Sequence, residues 1–562
     1  MRPSVSTPRL EWNSPRAYNP AMRLGIVQLN PRVGEIDYNL ERTLHYISRA
    51  RDAGCDLVVF PELSLCGYFP FDLLWRHGFV SRMEDALAEV VRSSAGIGVI
   101  VGGVSAVRMR GGANLTDPSS IADGAGMDLF NSAFLISDGK IIGEERKLHL
   151  PTFDVYFEKR YFTPGEGAQV FGFSGRRIGI NICEDLWVED GPTDAQASLG
   201  AELIVNISAS PFFAGKGEIR RRLAARRARE NGVTLVYVNR VGGQDEIVYD
   251  GGSFIVSPEG RLLFQAPYFA EDMYVVDLEG LRPIQHSHDD KLDLIRRAIV
   301  LGIRDYVGKN GFSHVLIGLS GGIDSALVAA LAVEALGKDA VTAVFLPSRI
   351  TSSESREDAV ETARRLGIEL VEVPIAGMVE EAWKTLPQDP TGLAGENLQA
   401  RVRGTLLMTI ANERNALVLA TGNKSEIAVG YNTLYGDTVG AIAPIGDLLK
   451  TDVYRLADRF GDLIPPRVKE KPPTAELRPN QRDEDDLPPY PLLDRVLKEL
   501  IEENASREEL IARGVPETTV DEIVSRYYRN EYKRNQLPLV IKVSPKAFGT
   551  GRRFPITHRY RG

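Results

Sequence analysis

The stretch His314-Val315-Leu316-Ile317-Gly318-Leu319-Ser320-Gly321-Gly322-Ile323-Asp324-Ser325 decides how the second half of this chain folds. Its first part, His314 to Leu319, carries the short apolar run of a buried strand. Ser320 to Asp324 form a loop of mostly small residues, and Ser325 to Leu336 read as a helix. Successive small residues let backbone N–H groups approach an anion closely, and the helix N-terminus adds a favourable dipole. Ser320 and Ser325 can donate hydroxyl hydrogen bonds. Asp324 would repel a phosphate unless Mg²⁺ bridged them. The structural alternative is a Gly-rich turn with an Asp/Ser helix cap; the full string in this strand–loop–helix context favours a phosphate grip.

The same rhythm continues outward. Val341 to Leu346 and Leu417 to Thr421 are further β-like runs, each followed by a helix, which is the pattern of a doubly wound parallel sheet with ligands at the carboxyl ends of its strands. A Walker-type loop is absent: Gly302 to Gly308-Lys309 has one residue too many, and Asn310 stands where Ser or Thr belongs. A helix is expected from Lys291 to about Val307. The Pro- and acid-rich segment Lys471 to Pro491 reads as a mobile loop.

Toward the N-terminus, Leu57 to Phe60, Val99 to Val101, Ala133 to Ile136 and Leu203 to Asn206 read as buried strands. Leu40 to Ala53 and Ile219 to Glu230 read as helices, the second strongly basic on its exposed face. This alternation predicts a layered α/β or α+β domain ending near Tyr274 to Leu278. Glu279 to Asp290 is the linker candidate. The expected division is 1–21 as a disordered extension (or an over-called start, with Met22 the true one), 22–278, 279–290 as linker, and 291–562.

Composition agrees with two large domains. The chain has 562 residues, 43% hydrophobic and 25% charged, as in soluble globular proteins. A net charge of −9 argues against a nucleic-acid-binding surface. Cys55, Cys66 and Cys183 are too few and too scattered for a disulfide framework or zinc pattern, which points to a reducing, cytoplasmic setting. The first 21 residues lack the apolar core of a signal peptide. The longest apolar run, Gly96 to Val107, falls well short of the about 20 residues of a membrane span.

The string Ser320 to Ser325 resembles the SGGxDS signature of the ATP pyrophosphatase, or PP-loop, family, which cleaves ATP between its α- and β-phosphates and activates a substrate as an adenylate. Downstream, Glu396 to Arg401, Thr421-Gly422-Asn423-Lys424-Ser425-Glu426, Gly430 to Asp437, Pro444 to Thr451 and Glu531 to Arg534 resemble the NAD synthetases. The resemblance spans Lys291 to the C-terminus. It implies ATP contacts at Gly318, Leu319, Ser320, Gly321, Gly322, Ile323, Asp324, Ser325 and Thr421. It also implies Mg²⁺ shared by Asp324 and Glu426, and contacts to deamido-NAD from Asn397, Glu426 and Lys533. Read alone, Lys533 lies on a basic helix face and Glu426 is a surface helix acid.

In the first half, a probable strand over Arg177 to Ile182 leads into Asn181-Ile182-Cys183-Glu184-Asp185-Leu186-Trp187. A cysteine at a strand end before a turn is placed like a nucleophile elbow. Glu62 and Lys147 also follow strand-like runs. A carboxylate can take a thiol proton and hand it to a leaving amine; a lysine and the Glu184 N–H can steady an oxyanion. Spacing alone also fits a buried, inert cysteine. The motif texts resemble the nitrilase-like carbon–nitrogen hydrolases over about Met22 to Leu278, an α-β-β-α sandwich whose Glu–Lys–Cys triad maps onto Glu62, Lys147 and Cys183. Glu158, in Phe157 to Phe162, is implied as a second carboxylate, and Cys55 and Cys66 as packing residues. In the glutaminase branch, Ser210 and Lys216 fall where glutamine is held. Phe153 stands six residues after Lys147, where many relatives have tyrosine, so a hydroxyl is lost there.

An amidase joined to an adenylating domain is the plan of a glutamine amidotransferase, and the whole chain resembles the glutamine-dependent NAD synthetases. The resemblance implies glutamine, ATP and deamido-NAD as substrates, ammonia passing internally, and assembly as at least a homodimer. Two other readings remain: a lone amidase with a regulatory nucleotide module, and a non-catalytic nucleotide sensor.

Overall fold

The computed structural model describes residues 21–108, 127–286, 289–388, 392–479 and 481–561. The extension expected over residues 1–21 therefore lies, apart from Ala21, outside the described residues.

Two six-stranded sheets build the first half. In the first sheet β1 (Arg23–Gln28), β2 (Leu57–Val59) and β3 (Gly98–Arg108) run parallel. They are flanked by antiparallel β4 (Met127–Ser137), β5 (Lys140–Arg146) and, at the other edge, β14 (Asp272–Asp277). The second sheet repeats the plan. Parallel β7 (Arg176–Ile182), β8 (Leu203–Ser208) and β9 (Thr234–Asn239) lie between antiparallel β6 (Val170–Phe173) on one side and β12 (Phe254–Val256) and β13 (Leu262–Gln265) on the other.

Side-chain alternation explains why these strands read as unbroken apolar runs. Leu24, Ile26, Leu57 and Val59 share a core with Ile178, Ile180, Leu203, Val205, Val236 and Val238, between the two sheets. Val27, Val58 and Phe60 point the other way, into a core with the helices Ile36–Asp52 and His77–Arg92. Ile204, Leu235 and Tyr237 do the same beneath the helix Lys216–Asn231. Both faces of each sheet are buried, giving the α-β-β-α sandwich.

The basic helix departs from expectation. Arg220, Arg221 and Arg227 are buried, while Arg222 and Arg226 face outward. The buried guanidiniums are tolerated because each finds acceptors. Arg227 donates to the carbonyls of Leu186, Trp187 and Val188, and Arg220 pairs with Asp250 at 2.7 Å.

In the second half, β15 (Val315–Gly318), β16 (Val341–Phe345), β17 (Glu369–Glu372), β18 (Leu417–Leu419), β19 (Ile442–Ala443) and β20 (Leu539–Val540) form one parallel sheet in the order β17-β16-β15-β18-β19-β20. The order reverses at β15, whose carboxyl end carries the Ser320–Gly322 turn. The helix after it spans Ile323–Leu336 and so begins two residues before the expected start. Gly302 to Lys309 is helix interior, within Lys291–Lys309.

That helix joins the halves. It packs on the ribbon of β10 (Val241–Gln244) and β11 (Ile247–Asp250), and Phe212, Val241, Val248 and Tyr268 share one core with Leu294, Ala298, Ile299, Ile541 and Val543. Polar ties frame it. Asp305 accepts from Asn30 Nδ2 (2.8 Å) and Gly243 N (2.7 Å), and Lys309 Nζ donates to the carbonyl of Gly243 (2.7 Å). The segment after β20 also bridges: Ala214 N donates to the Val543 carbonyl (2.9 Å), Lys542 N to that of Glu246 (2.8 Å), and Lys542 Nζ pairs with Asp154 at 3.4 Å.

Glu145, on β5, is buried, accepts one bond from Gln169 N (3.1 Å), and leaves its Oε1 unpaired. Burial pushes its carboxyl up from 4.5 to about 9, with Asp185 adding to the rise. The folded chain therefore keeps a proton that the unfolded chain gives up. Stability falls as pH rises through that window. Glu145→Gln is expected to raise Tm by about 2–4 °C at pH 8 and by nothing at pH 4; equal shifts at both pH values in thermal melts would contradict this.

Candidate active sites

Four strand ends from both sheets converge on one buried cluster in the first half. Glu62 sits three residues past β2, Lys147 just past β5, Cys183 just past β7 and Ala209 just past β8. The turn bearing Glu62 crosses β3 so closely that a Cβ on Gly102 would lie 2.5 Å from Leu63 N and 2.8 Å from Glu62 Cα. Only glycine fits there.

Lys147 Nζ lies 2.7 Å from Glu62 Oε1 and 2.6 Å from Glu158 Oε1, and all three side chains are fully buried. Asn131 Nδ2 donates to Glu62 (2.7 Å), Ala209 N to the other Glu62 oxygen (2.8 Å), and the Tyr68 hydroxyl to Glu158 (2.6 Å). Burial pushes the Glu158 carboxyl up to about 7 against the pull of Lys147. The two carboxylates, outweighing burial, hold the ammonium well above its usual value. Burial also raises the Cys183 thiol, as does Glu62, while Lys147 opposes them. Cys183 therefore rests as a thiol.

Cys183 adopts φ +46°, a left-handed conformation that costs an L-residue about 1–2 kcal/mol. Asp185 holds the turn. Its carboxylate accepts from the backbone N–H of Ile182 (3.2 Å), Leu148 (3.2 Å) and His149 (2.8 Å), tying the cysteine turn to the lysine loop. Glu184 N lies in the first turn of the short helix Cys183–Leu186, where amides have no intrahelical acceptor.

Ser210 is buried beside this cluster, its hydroxyl accepting from Arg220 Nε (3.2 Å). Lys216 lies over Phe213 and Trp187, and burial pushes its ammonium down to about 8, with Arg220 adding to the fall. Phe153 is 57% exposed, its ring edge-on to Tyr156. Asn131, Tyr68, Asp185, Arg220 and Arg227 escaped the sequence reading. Each acts through a long-range hydrogen bond that no local spacing announces. Cys55 and Cys66 are buried and unpaired.

The second site is a cavity of about 690 Å³ at the carboxyl end of β15. Gly318, Leu319, Ser320, Gly322, Ile323, Asp324, Ser325 and Thr421 line it, together with Asn397, Glu426 and Lys533. Gly321 does not line it; at φ +83°, its place for a Cβ is 2.3 Å from the Ser355 carbonyl oxygen. Asn397 accepts from Thr433 Oγ1 (2.7 Å), and Lys533 Nζ donates to the carbonyls of Gly430 (2.8 Å) and Asn432 (2.7 Å). The segment expected to be a mobile loop is a wall of this cavity. Glu476 accepts from Ser352 (2.8 Å) and Ser355 (2.7 Å), and Asp483 from Tyr490 (2.9 Å).

Asp324 and Glu426 do converge, on the buried ammonium of Lys450, at 2.5 and 3.3 Å. Asn423 Nδ2 donates to Asp324 (2.9 Å). Burial, with Asp324 adding, pushes Glu426 up to about 8, while the two carboxylates raise Lys450. Among the described residues no three His, Cys, Asp or Glu side chains gather in metal-binding geometry. Mg²⁺, however, is usually held by one or two carboxylates plus substrate phosphates, and Asp324 with Glu426 fits that donor set.

Comparison with known proteins agrees with this two-site anatomy. Residues 23–282 match the carbon–nitrogen hydrolase family model, and residues 295–537 the NAD synthase model. The glutamine-dependent NAD(+) synthetase of Thermotoga maritima is 39% identical, covering 96% of this chain and 99% of its own length; that of Synechocystis sp. is 41% identical at the same coverage. The structure of glutamine-dependent NAD+ synthetase from Acinetobacter baumannii, in complex with ADP, superposes with a TM-score of 0.75 at 36% identity, over 96% of this chain and 98% of that one. With both halves and nearly their full length matched, the chain belongs to the glutamine-dependent NAD(+) synthetase family.

Proposed function

We propose that this enzyme makes NAD from deamido-NAD, ATP and glutamine, with hydrolysis at Cys183 supplying ammonia to an adenylate formed in the Ser320–Asp324 cavity. The observation that carries the reading is the presence of both sites on halves that share one core: the buried Glu62–Lys147–Cys183 cluster in the first half, the Asp324–Glu426 cavity in the second.

In the amidase step, Glu62 takes the Cys183 proton as sulfur attacks the side-chain carbonyl of glutamine. The new oxyanion is met by Lys147 and the Glu184 N–H. The C–N bond breaks as Glu62 returns the proton to nitrogen, releasing ammonia and leaving a glutamyl thioester. Water, activated by Glu62, then frees glutamate and restores the thiol. Glu158 balances Lys147 without touching the substrate.

In the second site, an oxygen of the nicotinate carboxylate attacks the α-phosphorus of ATP and pyrophosphate leaves. Ammonia adds to the acyl carbon, and AMP departs. Ser320, Gly322 and Ser325 hold the phosphates at the helix N-terminus, and Thr421 flanks them. Asn397 and Lys533 face the dinucleotide. Asp324 and Glu426 hold Mg²⁺, which when bound offsets the charge of the triphosphate. Lys450, between those carboxylates, keeps them together before nucleotide arrives. We place the domain boundary at residues 279–290 and read the enzyme as a cytoplasmic, at least dimeric assembly. Among the described residues no helix is long and apolar enough to cross a membrane.

Cys183→Ala is expected to cut glutamine-supported NAD formation at least about a thousandfold, while synthesis from added ammonium salts stays within about twofold of wild type. Joint loss of both rates would refute the division of labour. Asp324→Ala is expected to stop NAD formation and AMP release while glutamine hydrolysis continues; an unchanged NAD rate would remove Asp324 from the proposed role.

A further inference from the structure

The strand β4 sends Ala133 and Leu135 into the apolar core between the two sheets. Side chains two residues apart on a strand share a face, so Asn131 belongs to that same side. It is 1% exposed and is the polar exception in the series. A carboxamide is costly in such a place unless its atoms find partners.

Asn131 touches all three members of the buried charge cluster, which arrive from three other segments. Its Nδ2 donates to Glu62 Oε1 (2.7 Å) and to Glu158 Oε2 (3.4 Å), and its backbone carbonyl accepts from Lys147 N (2.8 Å). Both hydrogens of the amide nitrogen are thus taken by carboxylates. That decides which way the amide faces, because its oxygen in the same place would oppose two anions. The Oδ1 is left buried, with no partner among the described residues.

A stranded acceptor works against stability, so filling space does not explain the side chain. Leucine has nearly the same shape and would strand nothing. Aspartate would add a third carboxylate to a cluster that holds one ammonium. Asparagine offers N–H donors at this reach without a charge. What those donors provide is aim. Ala209 N holds one oxygen of Glu62 (2.8 Å), and Lys147 Nζ (2.7 Å) and Asn131 Nδ2 hold the other. Without the amide, Oε1 is left to Lys147 alone, an ammonium that Glu158 also engages at 2.6 Å.

We propose that Asn131 is a positioning residue of the amidase site, its amide fixing the Glu62 carboxylate in the orientation from which it takes the Cys183 proton. The inference rests on the amidase reading above, in which Glu62 is the base, and adds to it the residue that aims that base.

The test is Asn131→Leu in the full-length enzyme, which keeps the bulk and removes the donor. The expected result is a fall of about a hundredfold in kcat for glutamine hydrolysis. The glutamine KM and the ammonia-supported rate of NAD formation are expected to stay within about twofold of wild type, with Tm unchanged. Iodoacetamide inactivation of glutamine-supported synthesis, in which sulfur displaces iodide and its proton passes to Glu62, is expected to slow by the same factor as kcat. A wild-type kcat, or an unchanged alkylation rate beside a lowered kcat, would overturn the inference and leave the amidase reading intact. A raised KM at unchanged kcat would also overturn it, by making Asn131 a substrate contact. If the leucine variant does not fold, Asn131→Ala, which cannot overpack, decides by the same readings; a parallel loss of Tm and of the ammonia-supported rate in both variants would make the role structural and overturn the inference too. A wild-type enzyme that uses ammonia but not glutamine would overturn the amidase reading itself, and this inference with it.

Discussion

Burying a lysine ammonium obliges the fold to bring carboxylates to it, and both sites of this enzyme are organised by that constraint. Lys147 lies between Glu62 and Glu158, and Lys450 between Asp324 and Glu426. An unpaired charge in either place would cost several kcal/mol. The partners come from different elements in different parts of the chain, so each triad depends on tertiary packing. Each triad carries one negative charge in excess when both its acids are ionised. Burial answers by raising one acid in each, Glu158 to about 7 and Glu426 to about 8. Near neutrality the first site can therefore exchange a proton, and in the second Glu426 keeps one.

The halves are not strung on a flexible tether. The helix Lys291–Lys309 belongs to the core of one and rests on the β10–β11 ribbon of the other. The segment following β20 reaches still closer to the chemistry. Its backbone is pinned by Asp447, which accepts from Val543 N (2.7 Å) and Ser544 N (2.6 Å), and Asp447 in turn pairs with Lys424 at 3.0 Å. Lys424 neighbours Asn423, which bonds Asp324. At its other end the segment touches Ala214, two residues before Lys216, and Asp154, beside the loop of Tyr156 and Glu158. Polar contacts joined by short stretches of backbone thus run between Asp324 and the loop that bears Asp154.

Much of this was legible in the chain itself. The Ser320–Ser325 string announces its turn because only Gly321 tolerates both φ +83° and the press of the Ser355 carbonyl. Strand-end positions for Glu62 and Cys183 could be read because buried strands leave unbroken apolar runs, whereas Lys147 follows the largely exposed edge strand Lys140–Arg146. Other features misled. The arginines of Lys216–Asn231 look like a solvated face by composition, yet three of them are buried, since carbonyls at Leu186 to Val188 take the hydrogen bonds of Arg227, Asp250 that of Arg220, and Glu218 and Asp289 those of Arg221. Lys471 to Pro491 has the composition of a loose loop, yet Glu476 fastens it to Ser352 and Ser355, and Asp483 accepts from Tyr490 within it.

What the sequence determined alone was local: the alternation of strands and helices, the glycine turn, and which side chains stand at strand ends. Those depend on neighbours a few residues apart, whose sterics and periodicity travel with the chain. Tertiary structure alone decided which charges meet. Lys450 in place between Asp324 and Glu426, Asp185 bracing the cysteine turn against the lysine loop, and Tyr156 turning inward while Phe153 turns out all follow from packing of elements distant in sequence. The physical reason is that burial sets the value of a polar contact: the same lysine or tyrosine is a solvated side chain or a committed partner according to what the folded sheets enclose around it.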